Sequence, residues 1–162
     1  MLKLLKIRYK NILGVGDTFI EIDLCRSPST IIYGKNGSSK STLTDALFFA
    51  LFGKAFRPIN KPLLVNTTNN KECLVELDFS VNGILHMIRR GIKPNIFEIF
   101  KDGTLIDQQS RSLDYQDYLE TVILKMDERS ARQIQVLGSS TFKPFMQLTV
   151  AERRGVIEDL LG

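Results

Sequence analysis

At 162 residues, with 43% hydrophobic and 25% charged positions, the chain suits a single soluble globular domain large enough to bury a real core. No apolar run reaches bilayer-spanning length, and the opening Met1-Leu2-Lys3-Leu4-Leu5-Lys6 is too short and too charged for a signal peptide. The net charge of +4 permits a polyanionic partner without demanding one, and Cys25 and Cys73 form no metal or redox spacing, which predicts reduced thiols in a cytosolic chain.

Leu5, Ile7 and Tyr9 alternate with Lys6, Arg8 and Lys10, so the first strand has one apolar and one basic face. The basic stripe suits a nucleic-acid backbone, or simply keeps a terminal strand soluble. After a loop, Asn11 to Gly16, the alternation of Phe19, Glu21 and Asp23 with Ile20, Ile22 and Leu24 predicts a second strand, antiparallel to the first. Ser29-Thr30-Ile31-Ile32-Tyr33 then reads as a short buried strand, and Lys40 to Phe52 as a helix.

Between them lies Gly34-Lys35-Asn36-Gly37-Ser38-Ser39-Lys40-Ser41. A glycine-rich turn between strand and helix is the context of a phosphate-binding loop. Its backbone N–H groups converge on a polyphosphate, and the helix N-terminus adds partial positive charge. Gly34 through Thr42 are therefore the candidate nucleotide-binding residues: Asn36, Gly37, Ser38, Ser39 and Lys40 for phosphate, and Thr42 for an α-phosphate oxygen. Lys40 would reach the β- and γ-phosphates, and Ser41 would ligate Mg²⁺. Ser39 is irregular, because the usual pattern has glycine there. If that position needs a positive φ, serine costs roughly 1–2 kcal/mol and weakens nucleotide affinity without abolishing it.

The helix places Leu43, Ala46, Leu47, Ala50 and Leu51 on one stripe, with Phe48, Phe49 and Phe52 off it, which predicts burial on nearly all sides and a stop at Gly53. Lys54 to Lys71 reads as a loop made basic by Arg57 and Lys61, either a connector or a segment facing nucleotide or DNA. A β-meander follows. Asn82-Gly83 closes a hairpin that sets Glu76 opposite Arg89 and Phe79 opposite His86, so His86 reads as a packed strand residue rather than a base. A third strand spans Asn95 to Lys101, and Asp102-Gly103 turns into Thr104-Leu105-Ile106.

From Ser110 the period is helical, ending near Lys125, with Asp127 as N-cap of a short second helix. Val122 to Glu128 imitates a Walker B strand, four apolar residues near two carboxylates, but Lys125 and the helical spacing before it argue against that reading. Ile134 to Leu137 reads as a buried strand, and Thr149-Val150-Ala151-Glu152 as a capping box opening a final amphipathic helix.

Tyr9-Lys10-Asn11-Ile12, the Walker A segment Tyr33 to Thr42, Ala46 to Phe56, and Glu152-Arg153-Arg154 through Leu161 together resemble the N-terminal half of the ATPase head of the SMC-like DNA-repair family. That family includes SbcC-type nuclease subunits and, the nearer likeness, the large recombination-endonuclease subunits of T-even-type bacteriophages. The resemblance implies an α/β P-loop NTPase head of ABC/SMC type. Residues 1–162 would be its N-terminal lobe, a mixed sheet around the phosphate-loop helix with an antiparallel meander, and about 149–162 would start the helix into a coiled coil. It also implies ATP and Mg²⁺ as cofactors, a C-terminal half of the head in the same or a separate chain, dimerised heads, a metal-dependent nuclease subunit and DNA. No membrane is implied, and the setting would be the cytoplasm of a phage-infected bacterium. The family's glutamine loop should fall near Leu137 to Ser140, where Gly138 and Ser139 stand instead, with Gln133 and Gln135 nearby. No catalytic residue is assigned.

Three functions are weighed. The first is the ATP-binding lobe of a DNA-repair or recombination ATPase, hydrolysing little alone. The second is a small P-loop metabolite kinase, and the third a non-hydrolysing nucleotide-binding or assembly module. An unpartnered lobe of the first kind would expose apolar edge surface.

Overall fold

Alternation along the first strand decides which face of the sheet meets the core. In the computed structural model, which describes residues 2–106, 112–134 and 145–161, β1 spans Leu2–Lys10 and buries Ile7 and Tyr9. It pairs antiparallel with β2 (Ile20–Asp23) on one side and β3 (Cys73–Val81) on the other. Next come β4 (Ile84–Ile92), β5 (Ile96–Lys101) and β6 (Thr104–Leu105), giving the order β2-β1-β3-β4-β5-β6. The Asn82-Gly83 turn sets the expected register, with Glu76 opposite Arg89 and Phe79 opposite His86. Val75, Leu77, Phe79, Ile88 and Ile99 continue the apolar face.

Helix α1 (Thr42–Phe52) packs on β3 and β4 and is buried along nearly all its residues, as its all-round apolar pattern predicts. Its C-terminus is closed twice. Gly53, at φ 71°, donates its N–H to the Phe49 carbonyl at 3.0 Å. Arg90 of β4 reaches across and donates Nε to the Ala50 carbonyl at 3.0 Å, its guanidinium carbon 3.6 Å above the Phe97 ring. A Cβ on residue 53 would come within 2.8 Å of that guanidinium, so the glycine is required for shape as well as for backbone sign.

The other sheet face is polar, and its charges are matched. Glu21, Arg8, Glu76, Arg89 and Glu98 form one row across β2, β1, β3, β4 and β5, alternating in sign. Arg8 bonds Glu76, and Arg89 lies 3.2 Å from Glu76 and 3.6 Å from Glu98. Lys6 pairs with Glu21 at 2.7 Å, and Lys10 with Glu72 at 2.9 Å. The basic stripe of β1 is therefore neutralised by its own sheet, which favours the structural reading of those lysines over a nucleic-acid track.

Every strand pairing among the described residues is antiparallel, and one expected strand is missing. Ser29 to Tyr33 forms no ladder and is exposed, Ile31 by 86% and Tyr33 by 91%. An extended segment stays a strand only when another strand satisfies its N–H and C=O groups, and among the described residues none lies beside it.

The chain divides into two units, Met1–Gln109 and Ser110–Gly162. In the second unit, α2 (Ser112–Tyr118) runs into a π turn, Leu119–Leu124, that stops at Lys125 with φ 52°. This stretch is helical and Val122 is exposed, so the Walker B imitation is not a strand. Asp127 caps α3 (Glu128–Ile134) by accepting from the Ser130 N–H at 2.7 Å. The helix takes in Ile134, the first residue of the expected strand, and the rest of that strand lies outside the described residues. Helix α4 (Val150–Leu161) opens with the anticipated capping box, Thr149 N–H donating to Glu152 Oε2 at 2.9 Å and Glu152 N–H to Thr149 Oγ1 at 3.4 Å.

Two outcomes follow from this packing. The Glu76 side chain is only 12% exposed between two arginines. Glu76→Gln should therefore cost about 2 kcal/mol in urea unfolding, because it leaves two guanidinium groups facing each other. Burial pushes the Cys73 thiol up to about 12, whereas Cys25 is only half-buried. Iodoacetamide at about pH 8 should then alkylate Cys25 and spare Cys73 until denaturant is added, as read by peptide mass.

Candidate phosphate-binding site

The loop ahead of α1 takes its shape from two residues with left-handed backbone. Gly37 has φ 84° and Ser39 has φ 60°, so the irregular serine does occupy the left-handed region. Ser38 donates its N–H to Lys35 O at 3.2 Å, and Thr42 donates to Ser39 O at 3.0 Å, which joins the turn to the helix. Lys40 folds back over the loop and donates Nζ to the Gly34 and Lys35 carbonyls, both at 2.7 Å. Ser41 sits at the N-cap but makes no side-chain capping bond.

A cavity of about 690 Å³ opens at this end of the helix. That volume lies within the range of small-ligand sites. Asn36, Gly37, Ser39, Lys40, Ser41 and Thr42 line it, whereas Gly34, Lys35 and Ser38 are not among its lining residues. The opposite wall comes from Leu13 and Gly14 of the β1–β2 loop and from Arg57, Ile59, Leu63, Val65 and Thr67.

That wall is held by polar groups whose pairing the sequence did not show. Asn11 is fully buried, donates Nδ2 to Asp17 at 2.9 Å and accepts from Asn69 Nδ2 at 2.6 Å. Asn66 donates Nδ2 to Leu13 O at 2.7 Å, while its Oδ1 accepts the Thr68 and Asn69 N–H groups at 3.0 Å. Leu13 N–H bonds Leu64 O at 2.7 Å. The polar tract Asn66 to Asn70 is thus a clasp on the β1–β2 loop. Its only signal in sequence is a run of turn-forming residues.

The basic loop after α1 divides. Arg57 turns into the cavity wall, anchored by Asp45, a fully buried aspartate within α1. Asp45 accepts from the Arg57 backbone N–H at 3.0 Å, from Nε at 2.8 Å and from a terminal nitrogen at 2.6 Å. Lys61 instead bonds Asn95 at 3.2 Å, and burial lowers its pKa, helped by the charge of Arg90. His86 stacks on Phe79, ring centroids 5.3 Å apart, with Nδ1 3.1 Å from Ile84 O, which agrees with the packing role. Residues 135–144, which include Gln135 and the expected position of the glutamine loop, lie outside the described residues.

The donor set fits a magnesium–nucleotide. The loop offers main-chain amides, Lys40 an ammonium, and Ser41 a hydroxyl oxygen of the hard type Mg²⁺ prefers.

The AAA domain family matches residues 6–162. The chain belongs to that family. It is 46% identical to "Exonuclease subunit 2" of Escherichia phage RB69 over 159 residues, covering 98% of this chain and 28% of that protein. A "DNA double-strand break repair Rad50 ATPase" of Sulfolobus acidocaldarius is 24% identical over 139 residues, 84% of this chain and 15% of that protein. The chain therefore spans less than a third of the length of these relatives. A solved structure from work on the ATP-driven dimerization and DNA-stimulated activation of SMC ATPases superposes with a TM-score of 0.63 at 18% identity, over 98% of this chain and 99% of that one. The fold is that of an SMC-type P-loop ATPase head. The meander beside the phosphate-loop helix is the part of it that sequence periodicity described.

Removing the anchor of Arg57 tests how the wall is held. Asp45→Asn should destabilise the protein by about 3 kcal/mol, since it strips the charge from a buried acceptor of three bonds. Chemical denaturation measures this, and limited proteolysis should show faster cutting within residues 54–71.

Proposed function

We propose that this chain is the ATP-binding N-terminal lobe of a DNA double-strand-break repair and recombination ATPase that acts with a nuclease subunit on DNA ends. The observation behind it is the cavity at the N-terminus of α1, where Lys40, Ser41 and the loop amides face a second wall at nucleotide scale. The names of the phage and archaeal relatives support the DNA-repair setting.

In this reading, residues 1–162 form one lobe, and the helix from about residue 149 leads into a coiled coil. Gly34 to Thr42 receive the phosphates. Lys40 neutralises β- and γ-phosphate charge, Thr42 reaches an α-phosphate oxygen, and Ser41 holds Mg²⁺, which when bound offsets phosphate charge. Exposed Ile31 and Tyr33 support a partner strand beside residues 29–33, supplied by the C-terminal half of the head. Two such heads would pair, and DNA would engage the full complex. Among the described residues no helix is long and apolar enough to cross a membrane, and the phage relative supports action in the cytoplasm of an infected bacterium. Hydrolysis by the lobe alone should be slight.

The kinase reading has no support from the architecture, since a hairpin precedes the loop and an antiparallel meander follows the helix. The non-hydrolysing module differs in one measurable property. Titration calorimetry with Mg-ATP should give a binding heat that Lys40→Ala reduces at least about tenfold in affinity. Equal heats from both proteins would leave only the inert module.

A further inference from the structure

We propose that Gly14 and Ser39 form a steric interlock in the lining of the phosphate cavity, so that the gap between loop and wall holds one side chain, and residue 39 supplies it. The proposal rests on the phosphate-loop reading and makes residue 14 a positioning residue for that loop.

The geometry is specific. Ser39 is left-handed, and its carbonyl accepts the Thr42 N–H at 3.0 Å, which ties its backbone to the start of α1. Its hydroxyl lies against Gly14, inside the space a Cβ on residue 14 would fill. Both residues line the same cavity. The wall cannot simply retreat, because Leu13 is bonded through its N–H to Leu64 O at 2.7 Å and through its C=O to Asn66 Nδ2 at 2.7 Å. Nor is the absent side chain at residue 14 explained by left-handed backbone, since Gly14 is not among the positive-φ glycines. What remains is the space that Ser39 occupies.

A methyl group at residue 14 therefore leaves Ser39 two responses. Rotation about χ1 takes the hydroxyl off the wall and away from its neighbour. Displacement of the backbone moves the loop amides and the helix start that receive phosphate. Either response disappears when residue 39 has no side chain.

The test is a double-mutant cycle of Gly14→Ala and Ser39→Gly, read with Mg-ATP and with inorganic tripolyphosphate, which reports the loop without the base. Gly14→Ala should weaken binding of both ligands, and the penalty should be at least about fivefold smaller when Ser39→Gly is also present. Equal penalties in the two backgrounds, or none in either, would overturn the interlock. Apo thermal unfolding of the same four proteins reads the coupling without ligand. Gly14→Ala should lower Tm more with Ser39 in place than in the double variant. If Gly14→Ala alone fails to fold, recovery of folding in the double variant supports the interlock, and failure of both refutes it. Should none of the four bind either ligand, the nucleotide reading falls, while the thermal cycle still decides the interlock.

Discussion

The burial of α1 is the constraint on which the site depends. A helix apolar on nearly every side has no solvent face along which to slide, so its N-terminus occupies one position relative to the sheet. Arg90 and Gly53 close its other end against β4, and Asp45, within its first turns, holds Arg57. The loop ahead of α1 lines a cavity, with Arg57 beside it. Its neighbours are then set by how the loops over the helix are tied down, not by the helix itself.

Those ties are polar and local to the cavity, whereas the far face of the sheet spends its charges on itself. The alternating row from Glu21 to Glu98 matches each arginine with flanking carboxylates. A surface arranged this way offers little net field to a polyanion, although the chain as a whole is mildly basic. The cations at the cavity are Lys40 and the anchored Arg57.

Much of this was legible in the sequence because strand and turn chemistry is local. Asn82-Gly83 alone set the pairing of Glu76 with Arg89 and of Phe79 with His86. Glycine and serine spacing located the turn ahead of α1, and the irregular Ser39 is the position where a positive φ was in question and is found. Four features were not legible. Ser29 to Tyr33 has the composition of a strand but lacks a partner among the described residues, and composition does not say where a partner comes from. The Asn11–Asn66–Asn69 clasp and the Asp45–Arg57 pair are made by polar side chains of loops and of one helix position, which leave no periodicity to read. The contact between Gly14 and Ser39 is of the same kind, since a vacancy at one position makes sense only beside the group that fills it.

The posture of Lys40 has a thermodynamic consequence. Its ammonium is already satisfied by two amide oxygens of its own turn, each at 2.7 Å. An arriving anion must compete with those oxygens and not merely with bulk water. The gain from the new ion pair is thus a difference between two charge-assisted arrangements, smaller than either alone. Once released, the carbonyl of Gly34 must find another donor, whereas that of Lys35 keeps the Ser38 N–H, so ligation is an exchange of partners within the turn.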